Sequence, residues 1–239
     1  MTGLGLLWVY LAASPLLWLT VTLAAYLLAD RIAVACDRHP LANPVLLAVG
    51  LVAALVLATG TPYQTYFEGA QFVHFLLGPA TVALAVPLWR NRRDVARALL
   101  PLAAALLAGA VTAVVSAVGI AWAFGAPGPV LAAIAPKSVT AAIAMGITRE
   151  LGGDPALTAT LVITTGILGA MMGWPLLRGL GVRDPAARGF ALGLAAHGIG
   201  TARAFQSDPV AGTFAGIAMG LNGLITAAIV PVVLRVFGL

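Results

Sequence analysis

Three basic side chains lie inside strongly apolar stretches of the sequence, where a charged group is costly and usually functional. Lys137 ends an uncharged stretch that begins at Ala98, and His197 and Arg203 lie in a later glycine-rich stretch. All 8 acidic residues lie at or outside the ends of the apolar stretches. A site lined by positive groups favours an anionic ligand, whereas a proton pump or a cation channel usually needs buried carboxylates.

The residues around these charges are suited to binding a carboxylate. Ser138 could cap a half-helix that begins near Val139, whose N-terminal amides also favour negative charge. Arg203 could hold a carboxylate through two parallel hydrogen bonds, and neighbouring glycines would let backbone approach the ligand. We therefore predict a substrate-binding site with two halves and one mid-helix amide, comprising Lys137, Ser138 and Thr140, then His197, Gly198, Gly200, Thr201 and Arg203, and finally Asn222.

The charged side chains also have purely structural interpretations. Lys137 could reach a membrane surface along its flexible stem, and Arg203 could lie in the membrane interface beside Asp208. His197 shares a helical face with two glycines, four and eight residues earlier, and could pack between helices. At the level of sequence, these alternatives stay open beside the prediction of a binding site.

The composition places these residues in a membrane protein. The chain has 239 residues, of which 61% are hydrophobic and 9% are charged, and its mean hydropathy is +1.03. A soluble domain carries about 25% charged residues, so we expect one all-α, multi-pass domain (1–239) in the bacterial inner membrane. The 3 histidines have no metal-ligand spacing, and we recognise no nucleophile elbow, phosphate loop or acid pair. We therefore expect no enzyme activity, metal, cofactor or nucleic-acid partner.

Apolar stretches of about 20 residues predict seven to eight transmembrane segments, several of them broken or re-entrant. Many starts are clear because a capping residue directly precedes a proline, as at Asn43 and Asp208. Residues 14–60 would form scaffold helices, and residues 72–237 would form a unit of repeated, broken helices. We place the segments at 15–36, 44–60, 72–89, 95–121, 129–146, 155–177, 185–204 and 209–237.

Basic loop residues constrain which segments cross the membrane. Arginines follow the first, third and sixth segments, and eight simple spans would place the last group opposite the other two. If segment 129–146, which is interrupted at Pro136, is re-entrant, all three groups lie on one side. This arrangement predicts an external N-terminus and an internal C-terminus. The alternative is that one loop departs from the charge rule.

A weak internal repeat coincides with the interruptions. Residues 78–86 align with 135–143 through a proline, a hydroxyl and a valine at matching positions, and 196–202 form a fainter third copy. Proline removes a backbone donor, and unpaired backbone survives in hydrocarbon only where it is buried in protein or lines a cavity. Repeated interruptions therefore indicate a transporter site near the midplane, although a single interruption is equally consistent with a simple kink.

The same stretches resemble the LrgB/CidB family. The matching motifs are LGPATVALAVPL at 77–88, PKSVT at 136–140, TGILGA at 165–170, ARGFALG at 187–193 and HGIGTARA at 197–204. The resemblance implies a small LrgA/CidA-like membrane partner. It also implies one of two roles, because members of the family have been described as holin-like regulators of murein hydrolase release and autolysis, and as transporters. Plastid relatives resemble glycolate/glycerate carriers, and bacterial relatives are connected with pyruvate uptake.

Two functional hypotheses follow. The first is transport of a small monocarboxylate, such as glycolate, glycerate or pyruvate, through the predicted site. The second is a holin-like regulator that forms a homo-oligomer through the glycine ridge of Gly212, Gly216 and Gly220 and needs no ligand pocket. The positive polarity at the interruptions favours transport.

Overall fold

Capping residues that precede prolines start most of the long helices. In the computed structural model, the side chains of Asn43, Asp154, Asp184 and Asp208 each accept a hydrogen bond from a first-turn amide. Each bond satisfies an amide that has no partner within its own helix. The predicted helix starts at 44, 155, 185 and 209 are therefore confirmed. The start at 15 is confirmed as well, although Ser14 makes no side-chain cap bond.

The structure describes residues 14–76, 79, 82–83, 85–90 and 92–238, and every regular element within them is helical. The chain divides into two units, residues 1–83 and 84–239. The predicted segment 72–89 and the first copy of the predicted repeat, 78–86, lie partly outside the described residues.

In the first unit, the described helices are α1 (Pro15–Ala35), α2 (Pro44–Thr59) and α3 (Tyr63–Phe75). Helix α1 packs against both of the others. Trp18 is fully buried and meets the Tyr66 ring edge-on, with 5.9 Å between the ring centroids. Gly69 lies against the Pro15 carbonyl, so that α1 and α3 approach closely at this point.

The described helices of the second unit are α4 (Ala85–Arg90), α5 (Arg92–Arg97), α6 (Leu99–Ala123), α7 (Gly128–Ile134), α8 (Ala141–Glu150), α9 (Pro155–Gly179), α10 (Pro185–Ser207) and α11 (Pro209–Val236). By length and composition, 4 described helices can cross a membrane, namely α1, α6, α9 and α11. The predicted count of seven to eight transmembrane segments is therefore not confirmed.

Helices α7 and α8 form hairpin 1 (128–150), whose tip is the non-helical stretch 135–140. Near its open end, the Thr148 hydroxyl of α8 donates to the Ala132 carbonyl of α7 at 3.3 Å. The Thr158 hydroxyl of α9 donates in turn to Thr148 at 2.9 Å, so α9 starts beside the open end. The arms have 7 and 10 residues, too few to cross a bilayer. This fold agrees with the re-entrant segment predicted at 129–146.

Helix α10 also folds back on itself and forms hairpin 2 (185–207). The reversal occurs at Ala196 (φ −129°, ψ 19°) and His197 (φ 39°, ψ −132°), neither of which has helical backbone angles. A Cβ placed on Gly200 would lie 2.5 Å from the Leu192 carbonyl oxygen. Eight residues of straight helix would separate Leu192 and Gly200 by about 12 Å. The structure thus places non-helical residues within the interruption predicted at 196–202, and the chain reverses there, so the predicted segment 185–204 returns to the end from which it starts.

The contacts of hairpin 2 define its direction. Gly189 and Gly193 of its first arm lie against the α11 carbonyls of Ala211 and Ala215, so the first arm and α11 run parallel. Along α9 the contacts run in the opposite order, so α9 and the first arm are antiparallel. Hairpin 2 therefore enters the second unit from the end opposite to the open end of hairpin 1.

Because each hairpin returns to the end from which it starts, the hairpins determine which loops lie at the same end of the second unit. Helix α6 crosses the unit, hairpin 1 returns to its own end, and α9 crosses back, so the arginines before α6 and after α9 share one end. This grouping agrees with the predicted charge rule. Hairpin 2 returns to the end that carries these arginines, so α11 starts there and crosses the unit. It finishes at the opposite end, where Phe237 packs on Trp122 with 5.7 Å between ring centroids. The prediction that the C-terminus shares the side of the basic loops is therefore wrong.

Candidate functional site

The tips of the two hairpins meet beside the middle of α11, where Asn222 joins them. Its amide nitrogen donates to the Leu194 carbonyl of hairpin 2 at 3.0 Å and to the Ser138 hydroxyl in the tip of hairpin 1 at 3.4 Å. Its amide oxygen accepts a hydrogen bond from Thr226 at 3.1 Å. The Leu194 carbonyl needs a side-chain donor because its regular helical partner would lie beyond the reversal. Asn222 is fully buried, so it connects three elements inside the protein.

The tip of hairpin 1 is capped differently from the prediction. Helix α8 begins at Ala141, and Thr140 is its N-cap residue without a side-chain cap bond. Ser138 lies two residues before this N-cap, and its buried hydroxyl accepts a hydrogen bond from Asn222 instead. The first-turn amides of α8 lie at the tip and carry the partial positive charge of a helix N-terminus.

His197 forms the turn of hairpin 2 and is anchored on α9. Its φ of 39° is unusual for a residue with a Cβ. The Nε2 atom lies 2.9 Å from the Val162 carbonyl oxygen, and the ring fills space beside Gly166, where an added Cβ would lie 2.6 Å from Cε1. The Thr201 hydroxyl closes the turn by donating to the His197 carbonyl at 2.8 Å. The His197 ring therefore packs between hairpin 2, to which it belongs, and α9. This placement agrees with the purely structural interpretation of His197 as a residue that packs between helices.

Lys137, in the tip of hairpin 1, lines a cavity of about 580 Å³ between α9 and the first arm of hairpin 2. The side chain is partly buried. Among the described residues, its ammonium group has neither a hydrogen bond nor an ion pair. An ammonium group in this position can bind an anionic group that enters the cavity. The cavity is completed by Thr165, Leu168, Gly169, Met172, Gly173, Leu176, Leu177, Ala191, Leu192, Ala195 and Ala196.

Arg203 lies apart from this cavity. It belongs to the return arm of hairpin 2, six residues beyond His197, which corresponds to about 9 Å along a helix. Its side chain is partly buried, with a buried Nε atom, but it does not line the cavity. Of the two predicted basic ligands for a carboxylate, Lys137 alone borders this cavity.

The two predicted glycines have different surroundings. Gly200 is buried against the Leu192 carbonyl and the Ala196 side chain, so its small size closes hairpin 2. Gly198 is exposed, and a Cβ added there would lie 3.9 Å from the Met219 sulfur. Gly198 is thus the more open of the two toward a ligand.

Sequence reasoning missed three contributors to the site. Thr226 supports the Asn222 amide, Thr165 lines the cavity, and the Leu194 carbonyl accepts the bond from Asn222. Thr226 had a detectable signal, because it lies one helical turn from Asn222 on the same face. Among the residues that the structure describes, no three histidines, cysteines or acidic residues come together as a metal site.

Known proteins resemble this chain over most of its length. A model of the LrgB-like family matches residues 22–236. Holin-like protein CidB from Staphylococcus epidermidis is 32% identical over 230 residues, which cover 95% of this chain and 98% of that protein. An uncharacterized protein from Haemophilus influenzae is 33% identical over 193 residues, which cover 81% of this chain and 84% of that protein. Uncharacterized protein YxaC from Bacillus subtilis is 31% identical over 228 residues, which cover 95% of this chain and 98% of that protein. No solved structure matches the chain.

Proposed function

The chain belongs to the LrgB-like family of multi-pass bacterial membrane proteins, and from that premise we propose that it transports small monocarboxylates such as glycolate, glycerate or pyruvate. The observation that carries this proposal is the meeting of two hairpin tips beside Asn222, with Lys137 at the adjoining cavity. Secondary transporters bind their substrates where interrupted helices meet inside the membrane. The positive charge of Lys137 supports an anionic substrate.

Lys137 and the start of α8 would bind the carboxylate together. The ammonium group supplies a full charge, while the first-turn amides and the Thr140 hydroxyl supply directed donors. His197 and Thr201 would hold the tip of hairpin 2 in place, since both are engaged in the turn. Arg203, on the return arm, would attract the anion as it approaches from the end that carries the basic loops.

Uptake into vesicles tests the proposal directly. The full chain would be reconstituted with an LrgA-like partner, and the entry of labelled glycolate, glycerate and pyruvate would be measured. Lys137→Ala is expected to reduce uptake by about 10- to 100-fold, because a hydrogen bond to a charged group contributes about 1.5–3 kcal/mol. Lys137→Arg keeps the charge and should retain more uptake than Lys137→Ala. If Lys137→Ala and Arg203→Ala both transport like the unchanged chain, the site assignment is wrong.

A holin-like regulator of murein hydrolase export and autolysis is the second candidate, favoured by the name of the CidB relatives. A homo-oligomer of this kind would need an outward glycine face. Gly212 packs against Phe205 of the same chain, whereas a Cβ on Gly220 would meet nothing within 4 Å. Gly220→Leu should therefore block oligomer-dependent leakage of large dyes from vesicles if this function is correct, while Lys137→Ala should leave the leakage unchanged.

We also propose a small LrgA/CidA-like membrane protein as the partner, as the family resemblance implies. Affinity purification of the tagged chain from a membrane that contains both proteins should recover the partner. Uptake by the chain alone would show that the partner is dispensable for transport.

A further inference from the structure

The walls of the Lys137 cavity are almost entirely apolar. Of the 12 residues that line it, Lys137 and Thr165 are the polar ones, and the other 10 have aliphatic, thioether or no side chains. Leu168, Met172 and Leu176 follow one another at intervals of four residues, so they form one continuous stripe along α9. A single positive group therefore meets a long hydrocarbon-like surface.

This surface is larger than a two-carbon acid requires. From Thr165 to Leu177 the lined part of α9 rises about 18 Å, and the cavity volume is about 580 Å³. A glycolate-sized ligand would contact Lys137 and leave most of the apolar wall unused. A carboxylate that carries a hydrocarbon chain would use both features, because its charge complements Lys137 and its chain would cover the stripe.

We propose that the Lys137 cavity selects monocarboxylates with an apolar chain of several carbons over glycolate-sized acids. The carboxylate lies beside Lys137, and the chain extends along Leu168 and Met172 toward the end of the unit that carries the basic loops. This inference rests on the proposed transport of monocarboxylates and narrows its substrate class. The expected gain is about fourfold in affinity for each added methylene that the wall covers.

Equilibrium binding to the full chain in lipid nanodiscs tests the inference. A series with one head group would be titrated by calorimetry, namely pyruvate, 2-oxobutanoate and 2-oxopentanoate. From the first acid to the last, the two added methylenes should strengthen binding about 15-fold. Lys137→Ala should abolish binding of all three acids, and 1-pentanol, which lacks the carboxylate, should not compete.

Two matched leucine variants examine the wall itself. Leu168 lines the cavity and is 49% exposed, whereas Leu224 lies outside the cavity wall and is 73% exposed. Leu168→Ser should flatten the dependence on chain length, and Leu224→Ser should preserve it. Folding of each variant would be checked by its elution profile in detergent.

The outcomes separate this inference from the proposed function. Lys137-dependent binding that does not strengthen with chain length overturns the preference and leaves monocarboxylate transport standing. Chain-dependent binding that persists in Lys137→Ala reflects partition into lipid or into an uncharged groove, and also overturns the inference. If no acid binds and vesicles take up no labelled pyruvate, both proposals fail.

Discussion

Replacing Asn222 by alanine should loosen the junction between the two hairpin tips. The change removes the donor to the Leu194 carbonyl at 3.0 Å and the longer contact to Ser138 at 3.4 Å. It also leaves the Thr226 hydroxyl without its acceptor. The Leu194 carbonyl lies just before the chain reversal, so no regular helical amide can replace the lost donor.

The magnitude follows from these contacts. A hydrogen bond between membrane helices contributes about 0.6 kcal/mol on average. An unsatisfied buried carbonyl costs about 1–3 kcal/mol. Loss of the Ser138 and Thr226 contacts, together with a Leu194 carbonyl left without its donor, should therefore lower the free energy of unfolding by about 2–4 kcal/mol. Thr226→Val is the matched control, because it removes one hydrogen bond to Asn222 and leaves both tips joined, at a cost of about 1 kcal/mol.

Unfolding in mixed micelles of dodecyl sulfate and a mild detergent would measure both variants. A double-mutant cycle between Asn222→Ala and Ser138→Ala should give a coupling energy of about 0.5 kcal/mol or more, whereas Asn222→Ala paired with Thr148→Val should be additive. If Asn222→Ala costs no more than Thr226→Val, and the Ser138 cycle shows no coupling, Asn222 does not join the tips and the described junction is incorrect.

Two further predictions concern the packing and direction of the hairpins. Gly193→Ala should destabilise the chain by about 1–3 kcal/mol because its Cβ would overlap the Ala215 carbonyl, whereas Gly146→Ala, which meets nothing within 4 Å, should be neutral or stabilising in the same unfolding assay. In a Cys36→Ser background, single cysteines at Arg183 and Arg235 should react with an impermeant maleimide from opposite sides of a sealed vesicle, and labelling of both from one side would contradict the reversal in hairpin 2.

The sequence was most informative where local chemistry decides the structure. A capping side chain before a proline is a local signal, so the helix starts at 44, 155, 185 and 209 could be predicted to the residue. The interruption near Pro136 was also predictable, because proline and lysine together disfavour a continuous apolar helix. The tip of hairpin 1 lies at 135–140, within the stretch that the sequence marked as re-entrant.

The sequence indicated an interruption at 196–202, but it could not show that the chain reverses there. Residues 185–207 are long enough for one span, and the chain turns at Ala196 and His197 without a proline. What stabilises the turn comes from other elements, namely the Val162 carbonyl on α9 and the Asn222 amide on α11. Such partners are invisible to a local pattern. The position of Arg203 depends on the same reversal, and Arg203 does not line the cavity that Lys137 borders.

The polarity of the hairpin tips gives an independent reason to expect an anion. Side-chain donors satisfy carbonyls around the tips, since Asn222 donates to Leu194, Thr201 donates to His197, and His197 Nε2 lies 2.9 Å from the Val162 oxygen. These three carbonyls are thus engaged within the protein. The group of the hairpin 1 tip that lines the cavity is a donor, the Lys137 ammonium. A cation would need free acceptors at this place, so the arrangement favours a ligand that supplies its own acceptors, as a carboxylate does.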